Sequence, residues 1–277
     1  MKIQKEIITA RTNPTVKMLA SLSDKKGREE NRMFIAEGFK LTLEAAEAGL
    51  GVSYVILSEE KRGEYQERLL EAFSSPRFEN TVLTIVSESV FSKISTEKAP
   101  QGVMCAIKHL DFFNKLDIIY KEDFFLLPAE RAILLCSVRD PANLGAVIRS
   151  SVAFGAEHII LTDDCADVYN PKTVRAAMGA LFRVKITSIK DISTFVASAK
   201  EKNRRIFAAE LTDRARPLSE VALEASDIFI IGNEGHGIPE SISLLSTASV
   251  YIPISKATES LNAAVAASIF MWEQSKV

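Results

Sequence analysis

A chain of 277 residues is long enough for two domains, and 47% apolar with 25% charged residues is an ordinary balance for a globular fold. A net charge of −2 excludes an overall basic footprint for nucleic acid, so any RNA contact must come from a local patch. Three cysteines (Cys105, Cys136, Cys165) and three histidines (His109, His158, His236) are too scattered for a disulfide framework or a metal site. No apolar run reaches membrane-spanning length, and the opening MKIQKEIITARTN lacks the apolar stretch of a secretory signal. The expected compartment is a reducing cytoplasm.

The first elements alternate between helix and strand. NPTVKMLASLSD has apolar residues at helical spacing after an Asn-Pro start. RMFIAEG reads as a short strand and GFKLTLEAAEAG as a helix stopped by Gly49. VSYVILS is β-branched and extended; EYQERLLEAF is a charged helix. NTVLTIVS, ESVFSKIS and GVMCAIKHL follow as strand, short helix and strand. Residues 1–110 are therefore expected to form a small α/β domain. Its first 32 residues carry eight basic and four acidic side chains, a local excess of four positive charges. That excess is either a solvated face or an RNA grip, with Lys25, Lys26 and Arg28 as the candidates. Residues 111–128 mix aromatics and charges and read as a linker that packs.

From residue 129 the alternation is cleaner. AILLCSV is an apolar strand, and the helix NLGAVIRSSVAFG stops at Gly155. HIILT is a strand, PKTVRAAMGALF a helix with proline near its start, and RVKIT a strand. DISTFVASAKEK is a helix; RRIFAAE, DIFIIG and ASVYIPI are strands. SLNAAVAASIFMWEQ is apolar almost all round, as a buried helix would be. Such alternation predicts a parallel sheet covered on both faces over residues 129–277.

In open parallel sheets, ligands bind beyond the carboxyl ends of the strands. Three stretches fall there. DPANLGAVIRSS follows AILLCSV and places Asn143, Gly145 and Arg149 in one loop-and-helix unit. GNEGHG follows DIFII; its glycines allow close backbone approach or a tight turn. IPISKATESLN follows SVY and leads into the last helix, where Ser260 could simply serve as the N-cap.

Taken together and in this order, DPANLGAVIR, IGNEGHGIP and IPISKATESLN resemble the three sequence motifs of the SpoU/TrmH RNA ribose methyltransferases of the SPOUT superfamily. The resemblance covers residues 129–277, including YNPKTVRAAMGALF between the first two motifs. Residues 1–110 resemble, more loosely, the substrate-binding domain of several members, an α/β fold like that of a ribosomal protein. The resemblance implies a deep trefoil knot in the C-terminal half and a homodimer that buries the knotted helices. It implies methyl transfer from S-adenosylmethionine to a ribose 2′-hydroxyl of structured RNA, with ribosomal RNA expected ahead of transfer RNA. Catalysis falls by this resemblance to Asn143, Arg149, Glu234, Ser260 and Asn262. The cofactor falls to Gly232, Ile252 and Leu261, and no metal is required.

An arginine stays protonated at any ordinary pH, so Arg149 is expected to bind the phosphate beside the target ribose and steady the developing alkoxide. Asn143 is expected to orient Arg149 or the ribose. Gly232 is expected to be glycine because backbone must pass close to the cofactor or through a tight turn. His236 reads as a solvent-facing loop residue, and Lys256 stands where relatives often have glycine. The alternative is a catalytically inactive RNA-binding or ribosome-associated protein, against which the intact Asn143, Arg149, Ser260 and Asn262 argue. A nucleotide-binding oxidoreductase is disfavoured by the missing G-x-G-x-x-G in a first βα turn.

Overall fold

A computed structural model describes residues 1–110, 130–233, 235–255 and 257–277. The linker reading for 111–128, Glu234 and Lys256 lie outside the described residues. In chain order the first elements are β1 (Lys2–Ile3), α1 (Pro14–Ser21), α2 (Lys25–Asn31), β2 (Met33–Glu37), α3 (Phe39–Glu47) and β3 (Val52–Ser58). Then come α4 (Arg62–Ala72), β4 (Val82–Val86), α5 (Glu88–Ile94) and β5 (Val103–Lys108). The later elements are β6 (Ala132–Leu135), α6 (Pro141–Ala153), β7 (His158–Thr162), α7 (Pro171–Ala177), β8 (Lys185–Ile189), α8 (Ile192–Glu201) and β9 (Ile206–Ala209). They end with β10 (Arg216–Pro217), β11 (Ile228–Ile231), α9 (Glu240–Leu245), β12 (Ala248–Tyr251) and α10 (Ala263–Gln274).

The chain divides into two compact units. The first holds Met1–Leu110 together with Asp167–Phe182. Its five-stranded sheet runs β1-β4-β3-β5-β2, with β5 antiparallel to both neighbours and the other pairings parallel. Val16, Leu19 and Leu22 pack on Phe91, Ile94, Ile56 and Met104 to form one core. The excursion Asp167–Phe182 joins this unit through aromatic stacking. The Tyr169 ring lies 4.6 Å from that of Phe34 and 4.2 Å from the imidazole of His109, and its hydroxyl accepts from the Leu110 amide. The sequence had placed this excursion with the rest of residues 129–277.

Two other readings change. The helix expected over PKTVRAAMGALF ends at Ala177, where Met178 takes φ 53° and turns the chain into a 3₁₀ segment through Phe182. Arg28 is not on the surface. It is 3% exposed, its Nη2 lies 2.6 Å from Asp167 Oδ2, and its Nη1 donates to the Leu22 and Ser23 carbonyls. Lys25 and Lys26 face Glu29 and Glu30 one helical turn away. The positive excess of residues 1–32 is thus partly consumed within the fold, and Arg28 is a structural ion-pair partner rather than an RNA contact.

The second unit is built on a seven-stranded sheet, β10-β12-β9-β11-β6-β7-β8, in which every pairing is parallel. Strand alternation sorts the core onto two faces. Ala132, Leu134, Ile228 and Ile230 pack with Phe195, Val196 and Ala199 of α8 and Ile242 of α9. On the other face Phe229, fully buried, meets Phe270 of α10 with ring centroids 4.8 Å apart. Burial of one such side chain contributes roughly 1.5–3 kcal/mol, so these runs fix the strand register. α10 is not buried all round: Val265 is 48% and Trp272 50% exposed. They line a groove of about 450 Å³ between α10 and α6, with Ala146, Phe154 and Ile269.

Candidate active site

The carboxyl ends of β6, β11 and β12 carry the three stretches singled out above. Beyond β6, Ser137 takes φ 58°, a conformation that costs a non-glycine residue about 1–2 kcal/mol. Its amide donates to Thr162 Oγ1 (2.8 Å) at the end of β7, and Thr162 donates to Asp164. Burial opposes ionisation of the Asp164 carboxyl. Hydrogen bonds from Thr162, Arg139 and Ser137 and the charge of Arg139, 2.9 Å away, outweigh it and bring the pKa to about 2. The start of α6 is therefore mounted on a fixed, charged loop.

α6 begins with Pro141 at its first turn and Asp140 as N-cap, accepting from the Asn143 amide at 2.8 Å. Asn143 Oδ1 accepts from Asn262 Nδ2 at 2.9 Å. Asn262, not Ser260, is the N-cap of α10: its Oδ1 accepts from the amides of Ala264 (2.9 Å) and Val265 (3.3 Å). One amide side chain thus caps the last helix and ties the third motif to the first. Ser260 is exposed and its carbonyl accepts from Thr258. Arg149 lies six residues beyond Asn143, about 9 Å along the helix axis. Its side chain is exposed and makes no ion pair or hydrogen bond among the described residues. An exposed guanidinium is suited to an incoming phosphate.

The loop after β11 folds back on itself. The Asn233 and Gly237 backbones exchange hydrogen bonds (3.2 and 2.9 Å). A Cβ on Gly232 would lie 2.4 Å from the Gly237 carbonyl carbon and 2.7 Å from the Ile238 nitrogen. Glycine is thus required at 232 by the loop's own returning limb. Asn233 was not among the expected site residues, yet it organises the loop. Its Oδ1 accepts from the amides of Gly235 (2.8 Å) and His236 (3.2 Å), and its Nδ2 donates to the Ser137 carbonyl (2.8 Å). The available signal was an Asn inside a glycine-rich turn, where the side chain can bond backbone two residues on. His236 is exposed, as expected. Ile252 and Leu261 are each half-buried beside these loops in sequence, and Glu234 lies outside the described residues.

Comparison with known proteins now bears on this arrangement. The profile of the SpoU rRNA Methylase family matches residues 130–272, and that of an MRM3-like substrate binding domain matches residues 13–105. The chain belongs to the SpoU rRNA methylase family. It is 28% identical to the 23S rRNA (guanosine(2553)-2′-O)-methyltransferase RlmP of Bacillus subtilis, over 97% of this chain and 98% of that protein. Among solved structures it resembles an rRNA methyltransferase from Sinorhizobium meliloti, with TM-score 0.83, 27% identity and coverage of 100% and 98%. The AdoMet-bound form of the Sinorhizobium enzyme matches with TM-score 0.81, 28% identity and coverage of 99% and 98%.

For a SpoU methylase the chemistry of the described residues is coherent. No group of three or more His, Cys, Asp or Glu side chains that could hold a metal occurs among them. The strand-end loops offer two interlocked amides and backbone-rich turns, and Arg149 is exposed on α6. Ile252 and Leu261, each half-buried, flank the third of these loops in sequence.

Proposed function

We propose that this SpoU methylase transfers a methyl group from S-adenosylmethionine to a ribose 2′-hydroxyl of ribosomal RNA. The observation that carries the reading is the pair of side-chain bonds, Asn262 to Asn143 and Asn233 to Ser137, that link all three motif loops at one end of one sheet. The name of the Bacillus subtilis relative, which matches over nearly its whole length, supports ribosomal RNA over transfer RNA.

S-adenosylmethionine, when bound, supplies a methyl already activated as a sulfonium. What the protein must add is alignment of the hydroxyl and help with its negative charge. Arg149, exposed and unpaired among the described residues, would bind the phosphate next to the target ribose and stabilise the alkoxide as the hydroxyl proton leaves. Asn143, Glu234, Ser260 and Asn262 would complete the substrate side. Gly232, Ile252 and Leu261 would frame the cofactor.

Residues 1–110 would hold the RNA, with 111–128 as the link to a catalytic domain of 129–277. The last strand β12 lies between β9 and β10, so the connection from β9 to β10 has to cross it. That order supports a trefoil knot. The half-exposed Trp272 and Val265 on α10 support a homodimer, a second copy covering the α6–α10 groove. Three cysteines, all free, suit the reducing cytoplasm.

The test is incubation with methyl-labelled S-adenosylmethionine and, separately, unmodified 23S ribosomal RNA and bulk transfer RNA, followed by mapping of ribose methylation. A single 2′-O-methyl in ribosomal RNA is expected. Label on a base, or only in transfer RNA, overturns the reading. Sedimentation of the same sample should give twice the chain mass.

A further inference from the structure

A second groove, of about 550 Å³, opens along the edge of the parallel sheet where β10, β12 and β9 meet α9. Its lining includes Arg205, Phe207, Arg214, Arg216, Glu220 and Thr247. Arg205 is a fixed wall. It is bidentate to the fully buried Asp227 (2.7 and 2.7 Å) and donates to the Ala222 carbonyl, so its charge is already answered. Arg214 and Arg216 are different. Both are exposed, and neither guanidinium makes an ion pair or hydrogen bond among the described residues. Two open guanidiniums therefore converge on one concavity, against a single carboxylate, Glu220, in its lining.

From this geometry we infer that the groove is a phosphodiester-binding site for the RNA substrate, remote from the reacting ribose; the inference rests on the proposed function. Guanidinium forks match phosphate oxygens two at a time. Position along the sheet supports the assignment. Thr247, in the groove, precedes β12, whereas Ile252, in the proposed cofactor frame, follows it. Five residue steps along the strand separate them, about 17 Å. At a rise of about 3.4 Å per nucleotide that spans roughly five nucleotides of one strand, so a single structured RNA reaches both. With Arg28 buried against Asp167, the N-terminal basic excess is partly consumed, and this groove supplies further positive charge for the RNA.

The test uses the full chain, unmodified 23S ribosomal RNA as probe, and the double variant Arg214→Gln/Arg216→Gln. RNA affinity is measured by filter binding over a series of salt concentrations. Loss of two phosphate contacts should flatten the slope of log K against log salt by about two and weaken binding roughly 60-fold at 0.1 M salt. S-adenosylmethionine affinity by calorimetry and the melting temperature should stay at wild-type values. An unchanged salt slope in a folded variant overturns the inference. So does self-association without any loss of RNA affinity, which would assign the two arginines to keeping the two-residue edge strand β10 from pairing with another chain. Failure of the parent reading is distinguishable, because there the wild-type chain itself would place no methyl on ribose.

Discussion

Asn233→Ala is the most informative single change in the site. The substitution removes the bond to the Ser137 carbonyl and both bonds that hold the Gly235 and His236 amides, three contacts of 2.8, 2.8 and 3.2 Å. Each is worth about 0.5–1.5 kcal/mol net; because the loop is half open to water, values near the lower end apply, for a total of about 1.5–2 kcal/mol. The core is untouched, so the melting temperature should move little. What should fall is the ratio of molecules with the second-motif loop locked against the first to those with it released, by about 10- to 30-fold at 1.4 kcal/mol per decade. Single-turnover methyl transfer at saturating S-adenosylmethionine and RNA reads the locked population directly. Asn233→Asp keeps the two acceptor bonds but cannot donate to Ser137, so its rate should fall between wild type and Asn233→Ala. If Asn233→Ala transfers methyl within twofold of wild type, the loop is held by its backbone alone and the side-chain argument fails.

Arg149→Ala should lower single-turnover methyl transfer by at least a hundredfold while leaving S-adenosylmethionine affinity within a few fold, checked by calorimetry; near-normal transfer would remove Arg149 from the site. Gly232→Ala forces a Cβ to within 2.4 Å of the Gly237 carbonyl carbon, whereas a Cβ at Gly237, with φ 66°, meets nothing within 4 Å. Calorimetry should therefore show a large loss of cofactor affinity for Gly232→Ala and a milder one for Gly237→Ala, whose backbone strain is about 1–2 kcal/mol. Burial, with a further push from Arg32, lowers the His109 imidazole to about 4, below its ordinary 6.5. The unfolded chain takes up that proton first as pH falls, so the stability of the N-terminal unit should decline from pH 6.5 to 4 and then level off. Melting curves across that window, repeated with His109→Phe to keep the stack on Tyr169, should show a flatter decline for the variant.

The sheet of the second unit was legible because burial on both faces writes itself as unbroken apolar runs. AILL, HIILT and IFII in the sequence are β6, β7 and β11, with only His158 and Thr162 breaking the apolar runs. The short pieces were not legible. β1 and β10 are two residues each, and their pairing is decided by the strands beside them, β4 and β12. The break at Met178 left no mark, because a methionine at φ 53° carries no turn chemistry that a reader can recognise. Arg28 was misread for a related reason. Charge in a sequence says nothing of burial until its partner is known, and Asp167 is 139 residues away.

The site was legible as three loops but not as a mechanism of assembly. Motif spacing places Asn143, Gly232 and Asn262 at strand ends, yet it does not say which of them touch. The structure shows that single polar side chains there hold their own loop or helix start and tie it to another motif at once. Asn262 spends its oxygen on the α10 cap and its nitrogen on Asn143, so the same residue that starts the last helix also sets the first-motif amide. Asn233 likewise spends its oxygen inside its own loop and its nitrogen on Ser137. An amide is the smallest side chain that donates and accepts along one plane, which a serine or aspartate at either position could not match in reach or polarity. That is why Asn, and not merely a polar residue, is informative at these two places, and why loss of function there need not be accompanied by unfolding.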